Sequence, residues 1–344
     1  MAQRSRDRRI PVVLVSGFLG AGKTTLLNHL LRHNRGIRIG VVVNDFGSIN
    51  IDSMMVAGQV DSMVSLGNGC LCCAVDVADL DAMFDTLSRS SAQIDVIVVE
   101  ASGVAEPRNL VRMVRGSDNP RIMYGGLIGV IDAVEFFATR ETHPEIDQHV
   151  ALADLVVVNK MDLGDSDAVT AHIRSIAPNV AVLPTAYGQV DADLLFDVPE
   201  RADNVDEARQ LSLDELLYAP DDHAKHLHAR YSTTSFVSDE PFDPRRFVDM
   251  LENPSGDVYR IKGFVHFGID GHDVKYVVNT VGRHLRLEPS KWDDAEPRST
   301  RIVLIGTDID DEFLEVRLLD CIRRTGDRVD ESAMMPVHRY APQR

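Results

Sequence analysis

The stretch VVLVSGFLGAGKTTLLNHLL, from Val12 to Leu31, restricts what this chain can become more than any other. Val12 to Val15 read as a buried strand, and Leu26, Leu27, Leu30 and Leu31 recur at helical spacing. The turn between them, Gly17-Phe-Leu-Gly20-Ala21-Gly22-Lys23-Thr24, satisfies the phosphate-loop spacing Gly-x-x-x-x-Gly-Lys-[Ser/Thr]. Glycines let the backbone curl so that successive N–H groups converge, and the helix N-terminus adds its positive dipole end. A polyphosphate fits such a cradle, built here from Gly17, Gly20, Ala21, Gly22, Lys23, Thr24 and Thr25. Lys23 would reach the outer phosphates as a point charge, and the Thr24 hydroxyl would ligate Mg²⁺.

Two further motifs end apolar runs. Ile94 to Glu100 reads as a strand that delivers a carboxylate, followed by Ala-Ser-Gly103. Glu100 would lie near Mg²⁺ or its water shell, and Gly103 could approach the γ-phosphate. Leu155 to Asn159 is a strand that opens Asn159-Lys160-Met-Asp162. A carboxylate at the end of that tetrapeptide accepts from N1–H and the exocyclic amine of guanine, a pair adenine does not offer, so GTP is the expected nucleotide. Ile37 to Val43, Leu127 to Val134 (with Asp132 near its end) and Val180 to Thr185 read as further strands, and His143 to Asp154 as helical. Strands alternating with helices predict an α/β P-loop NTPase domain over 1–200, its mostly parallel sheet flanked by helices and its ligands at the carboxyl ends of strands.

Asn44-Asp45-Phe46-Gly47 opens a polar loop that runs toward Gly69-Cys70-Leu-Cys72-Cys73. Asp45 joins Lys23, Thr24 and Glu100 as a candidate catalytic residue. Three of the four cysteines fall within four positions, which suggests a metal site or redox chemistry rather than a disulfide framework. Thiolates in Cys-x-Cys-Cys spacing suit Zn²⁺ or Cu(I), and a helical pattern starting at Val75 would lower their pKa by its dipole. Cys321, on an apolar helical pattern, reads as core.

The balance of 36 basic against 53 acidic residues, net −17, disfavours nucleic acid and anionic membranes as partners. No apolar run is long enough to span a bilayer, and the Arg-rich start leads into a strand rather than a signal-peptide core, so a cytoplasmic location is expected. Residues 201–230 read as a polar linker bearing His223, His226 and His228, which could take a divalent metal transiently or simply be solvated. Residues 231–344 alternate short strands with few helices, predicting a smaller α+β domain with a largely antiparallel sheet and a role in client contact or control of the first domain. His266 and His272 read as ordinary histidines, and Trp292 as a loop residue and potential interaction anchor.

The set GFLGAGKTTLLNHLL, NDFG with Ile51-Asp52, GNGCLCC, VVVEASGVAEP and NKMDL resembles the CobW family of P-loop GTPases over nearly the whole chain, second domain included. The resemblance implies a GTP-dependent metallochaperone that binds Zn²⁺, or sometimes cobalt, at the cysteines and hands it to a client metalloprotein. A nucleotide-regulated metal sensor or buffer, and an activator of a cobalt enzyme or of cobalamin synthesis, use the same parts. A homodimer is compatible with the sequence. The family commonly carries Asn-Glu-Phe-Gly where this chain has Asn44-Asp45-Phe46-Gly47, so the carboxylate at Asp45 is one methylene shorter.

Overall fold

Alternation along β1 (Ile10–Gly17) decides the layering of the first domain. Val13 and Val15 enter one core with Leu26, Leu27 and Leu30, while Val12 and Leu14 enter another with Leu80, Phe84 and Leu110. A strand buried on both faces needs helices on both, which is the parallel α/β arrangement. The computed structural model describes residues 9–34, 36–43, 62–65, 77–89, 92–103, 106–196, 232–254, 257–269, 273–293, 296–307, 309–324, 326–327 and 330–341. Asp45, the three clustered cysteines and the histidines of the linker lie outside them.

After β1 come α1 (Lys23–Arg32), β2 (Ile39–Val43), β3 (Ser62–Ser65), α2 (Val77–Leu87), β4 (Val96–Glu100), α3 (Pro107–Arg115), β5 (Ile122–Asp132), α4 (Phe136–Thr142), α5 (Ile146–Leu152), β6 (Leu155–Asn159), α6 (Ser166–Ile176), β7 (Ala181–Pro184) and α7 (Ala192–Leu195). The strands form one sheet in the order β3-β2-β4-β1-β5-β6-β7, and every pairing in it is parallel. β1 lies between β4 and β5, so its carboxyl end opens in mid-sheet, where ligands of such folds bind.

The second sheet is antiparallel in every pairing, in the order β11-β10-β9-β12-β8. Its elements are β8 (Ser232–Ser238), α8 (Pro244–Glu252), β9 (Asp257–His266), β10 (Lys275–Val281), β11 (His284–Ser290), β12 (Thr300–Thr307), α9 (Asp311–Asp320), a 3₁₀ turn (Glu331–Met334) and α10 (Met335–His338). Buried phenylalanines 242, 247 and 267 make its core with Leu304, Leu314 and Leu318.

The structure corrects three sequence expectations. β5 begins at Ile122 rather than Leu127, because Gly125 and Gly126 interrupt the apolar run without ending the strand. Of the helical region expected over His143 to Asp154, only α5 (Ile146–Leu152) is helical; His143 itself caps the end of the preceding α4. Trp292 is not an exposed anchor: its ring is buried edge-on against Phe264 and His266, with the cations of Lys275 and Arg298 within 5.4 Å of its centre. A loop position hid this, since the partners come from other strands. Cys321 is core as expected, and burial pushes its thiol up to about 12.

The two sheets meet at the β10–β11 turn. Gly282 adopts φ 53° there, and a Cβ on it would lie 1.9 Å from the Asp154 carbonyl oxygen, so the approach requires glycine. Arg283 donates its backbone N–H to Asp154 O at 2.8 Å and its guanidinium to the carbonyls of Ala151 and Ala153 at the end of α5. That supplies donors to a helix C-terminus, which otherwise leaves carbonyls unpaired. Tyr259 and Val281 enter the same core as α1.

Candidate nucleotide site

Parallel register aligns the ends of four strands. Val15 stands beside Glu100, Gly17 beside Val130, and Asp132 beside Asn159. The phosphate loop, the carboxylate and the Asn-Lys-x-Asp turn therefore share one edge of the sheet.

Within the loop, Gly17 ends β1, Gly20 is exposed in the turn, and Gly22 caps α1 at φ 100°. Lys23 and Thr24 are the first two helical residues, with Thr25 exposed beside them. No acidic side chain lies in this first turn, so the helix N-terminus keeps its positive character. Lys23 donates to the Phe18 carbonyl at 3.2 Å. Thr24 donates its hydroxyl to Glu100 Oε1 at 2.8 Å, joining the helix start to the end of β4. Glu100 is buried. A hydroxyl and a buried carboxylate side by side at a phosphate loop are hard oxygen donors, which is what Mg²⁺ selects, so these residues fit that ion.

Asn159 is 2% exposed and ties three loops together. Its Nδ2 donates to Ala21 O at 3.0 Å, and its Oδ1 accepts from Gly188 N at 2.9 Å. A Cβ on Gly22 would sit 2.2 Å from that Nδ2, so the contact and the glycine imply each other. Lys160, in left-handed backbone at φ 61°, directs its ammonium to Asp132 Oδ2 at 2.5 Å. Asp162 is exposed. Gly103 abuts the phosphate loop itself: a Cβ there would lie 2.7 Å from the Leu19 side chain.

Of the candidates, Lys23, Thr24 and Glu100 are brought together, Asn159 buttresses Ala21, and Lys160 and Asp162 lie on the adjoining turn. Sequence reasoning missed the Asp132 partner of Lys160, although an aspartate ending a strand was visible. It also missed His143, whose ring lies 4.7 Å from that of Phe18 in the phosphate loop. Among the described residues no group of three His, Cys, Asp or Glu side chains could hold a metal. No described helix is long and apolar enough to cross a membrane.

A central-strand phosphate loop, a strand-end carboxylate and an Asn-Lys-x-Asp turn on one parallel sheet, followed by an antiparallel second domain, define a two-domain P-loop nucleotide-binding protein. The family model described as the CobW/HypB/UreG nucleotide-binding domain matches residues 11–184, and the one described as the cobalamin synthesis protein cobW C-terminal domain matches residues 231–322. The chain belongs to the CobW family of P-loop GTPases. Among curated relatives, it is 31% identical to a protein of Pseudomonas aeruginosa named zinc chaperone CobW, over 88% of each chain. It is 28% identical to the zinc chaperone CobW of Sinorhizobium sp, over 88% of this chain and 94% of that one. Against the zinc chaperone YjiA of Escherichia coli the identity is 27%, over 88% and 96%.

Proposed function

We propose that this protein is a GTP-hydrolysing metallochaperone that takes up Zn²⁺ at Cys70, Cys72 and Cys73 and delivers it to a client metalloprotein. The names of its relatives and its family support a zinc-linked GTPase. The observation that carries the reading is the Thr24–Glu100 hydrogen bond at 2.8 Å under the phosphate loop, a hard-oxygen pair at a helix N-terminus. In this reading residues 1–200 hydrolyse GTP, 201–230 link, and 231–344 meet the client.

Lys23 and the loop amides stabilise charge on the β- and γ-phosphates, and no covalent nucleophile is needed. Thr24 and Glu100 would hold Mg²⁺, which neutralises phosphate charge when bound. Glu100 or Asp45 orients the attacking water. Asp162 selects guanine, while Asn159 holds the phosphate loop at Ala21 and Lys160 flanks the base. Gly103 keeps the chain after β4 against the phosphate loop, where it responds to the γ-phosphate. The segment from Asn44 to Cys73, which contains β3, connects this site with the thiolates, so nucleotide and metal affinities are coupled reciprocally. Hydrolysis then releases the metal.

The test is a Zn²⁺ titration against a chromophoric chelator, with GDP and then with Mg²⁺ and a non-hydrolysable GTP analogue, on the wild type and a Cys70, Cys72, Cys73→Ser variant. A tight site that vanishes in the variant and changes affinity with nucleotide is the expected result. Tight binding indifferent to nucleotide would reduce the cysteines to a buffer and overturn GTP-gated delivery.

A further inference from the structure

The second sheet presents an edge. β8 pairs with β12 along its whole length, from Ser232 opposite Gly306 to Ser238 opposite Thr300, and among the described residues no strand pairs with its other side. An open edge offers a row of amides and carbonyls to another chain, and proteins usually blunt it with Lys, Pro or a bulge. The sequence STTSFVS contains neither Lys nor Pro, and its register with β12 is unbroken. β8 is thus a long, regular edge.

α9 runs beside that edge, joined to it where the Thr234 hydroxyl donates to the Asp311 carboxylate. Between strand and helix lies a groove of about 710 Å³. Phe236 and Leu318 form its buried floor. Leu319, half exposed, starts an apolar stripe that continues through Val316 and Phe313 at three-residue spacing. Asp239, Glu240, Asp311 and Glu315 line the rim, and among the described residues no Lys or Arg lines the groove.

We propose that this groove binds an extended basic segment of a partner protein, added to the sheet as a further strand on β8. Main-chain hydrogen bonds to the open edge supply affinity, and alternate side chains supply selection. Apolar residues at every second position face α9 and meet Leu319 and Ile322, and the Lys or Arg between them are drawn by the acidic charge of Asp239 and Glu240 at the strand's end. Seven residues of β8 span about 23 Å, room for a segment of six or seven residues. The charge argues against two other occupants. Two copies pairing β8 to β8 would oppose acidic rims. The chain's own 201–230 linker carries seven acidic residues against four Lys and Arg, so it matches the rim in sign. The proposal goes beyond nucleotide and metal handling and stands whether or not zinc is carried.

The test uses the full chain and a fluorescein-labelled octapeptide of alternating Lys and Val, read by anisotropy and by hydrogen exchange. Saturable binding with new protection at amides 232–238 is expected. An alternately N-methylated peptide of identical charge should bind at least tenfold more weakly, because it cannot complete a strand ladder. Asp239→Lys with Glu240→Lys, and separately Leu319→Asp, should each weaken binding at least tenfold while leaving circular dichroism and GTP hydrolysis unchanged. Equal binding of the N-methylated peptide reduces the effect to bulk charge and overturns the proposal. So do protection elsewhere, β8 amides already protected in the free chain, or a dimer in sedimentation that Leu319→Asp dissociates.

Discussion

Asn159 donates its side-chain amide to the carbonyl oxygen of Ala21 at 3.0 Å, across 138 residues of chain. The residue that opens Asn-Lys-x-Asp is therefore a strut of the phosphate loop, and its Oδ1 holds Gly188 in the same way. Asn159→Ala strands two buried partners, each worth about 1 to 2 kcal/mol. Stability should fall by about 2 to 3 kcal/mol in urea unfolding, and calorimetry should find GTP affinity at least tenfold lower. Unchanged affinity would detach the two loops functionally.

Lys23→Ala should abolish GTP hydrolysis while leaving the cysteines able to take up zinc, since the proposed role of the ammonium is to stabilise phosphate charge. Phosphate-release assays and the chelator competition check the two halves separately. Normal hydrolysis would remove the loop from the nucleotide site. Asp162→Asn, at an exposed position, should move preference from GTP toward xanthosine triphosphate, whose ring offers an acceptor where guanine has its amine.

Glu100→Gln keeps an oxygen for the Thr24 hydroxyl but removes the charge, so the helix start should remain in place. Nucleotide binding should survive within about tenfold and turnover should fall about 100-fold or more, the pattern of a group used in the transition state. Single-turnover kinetics separate the two.

His29, on α1, has its pKa lowered to about 4, first by burial and then by the neighbouring His33 ring stacked 4.4 Å away. The folded protein thus keeps this ring neutral where the unfolded chain already binds a proton. Stability is complete above about pH 6.5 and is lost as pH falls from there toward 4. The ring is partly exposed, so a discounted loss of about 1 kcal/mol is expected. His29→Gln should flatten the melting temperature across this range, measured by scanning calorimetry.

Arg283→Ala removes the guanidinium that serves the end of α5, and Gly282→Ala forces a methyl into the Asp154 carbonyl. The first should cost about 1 to 2 kcal/mol and the second more, because backbone must shift. Limited proteolysis should cut between the two domains faster in both variants.

The nucleotide motifs were legible because each sits in a short turn after a continuous apolar strand, a local pattern. Their partners were not. That Lys160 meets Asp132 follows from the register of β5 and β6, and that Asn159 meets Ala21 follows from strand order, neither of which a local window contains. Gly125 and Gly126 concealed the start of β5 because glycine lowers strand propensity even where a neighbouring strand supports it. The antiparallel second sheet was visible in its spacing, whereas the burial of Trp292 depended on Phe264, His266 and Lys275 arriving from two other strands.

Trp292 is the chain's single tryptophan, and it packs in the second domain. Indole emission from this protein consequently reports on one half of the molecule. If the nucleotide half melts first, the far-ultraviolet circular dichroism will change while the emission maximum stays blue, and the order in which the halves come apart can be read without adding a label.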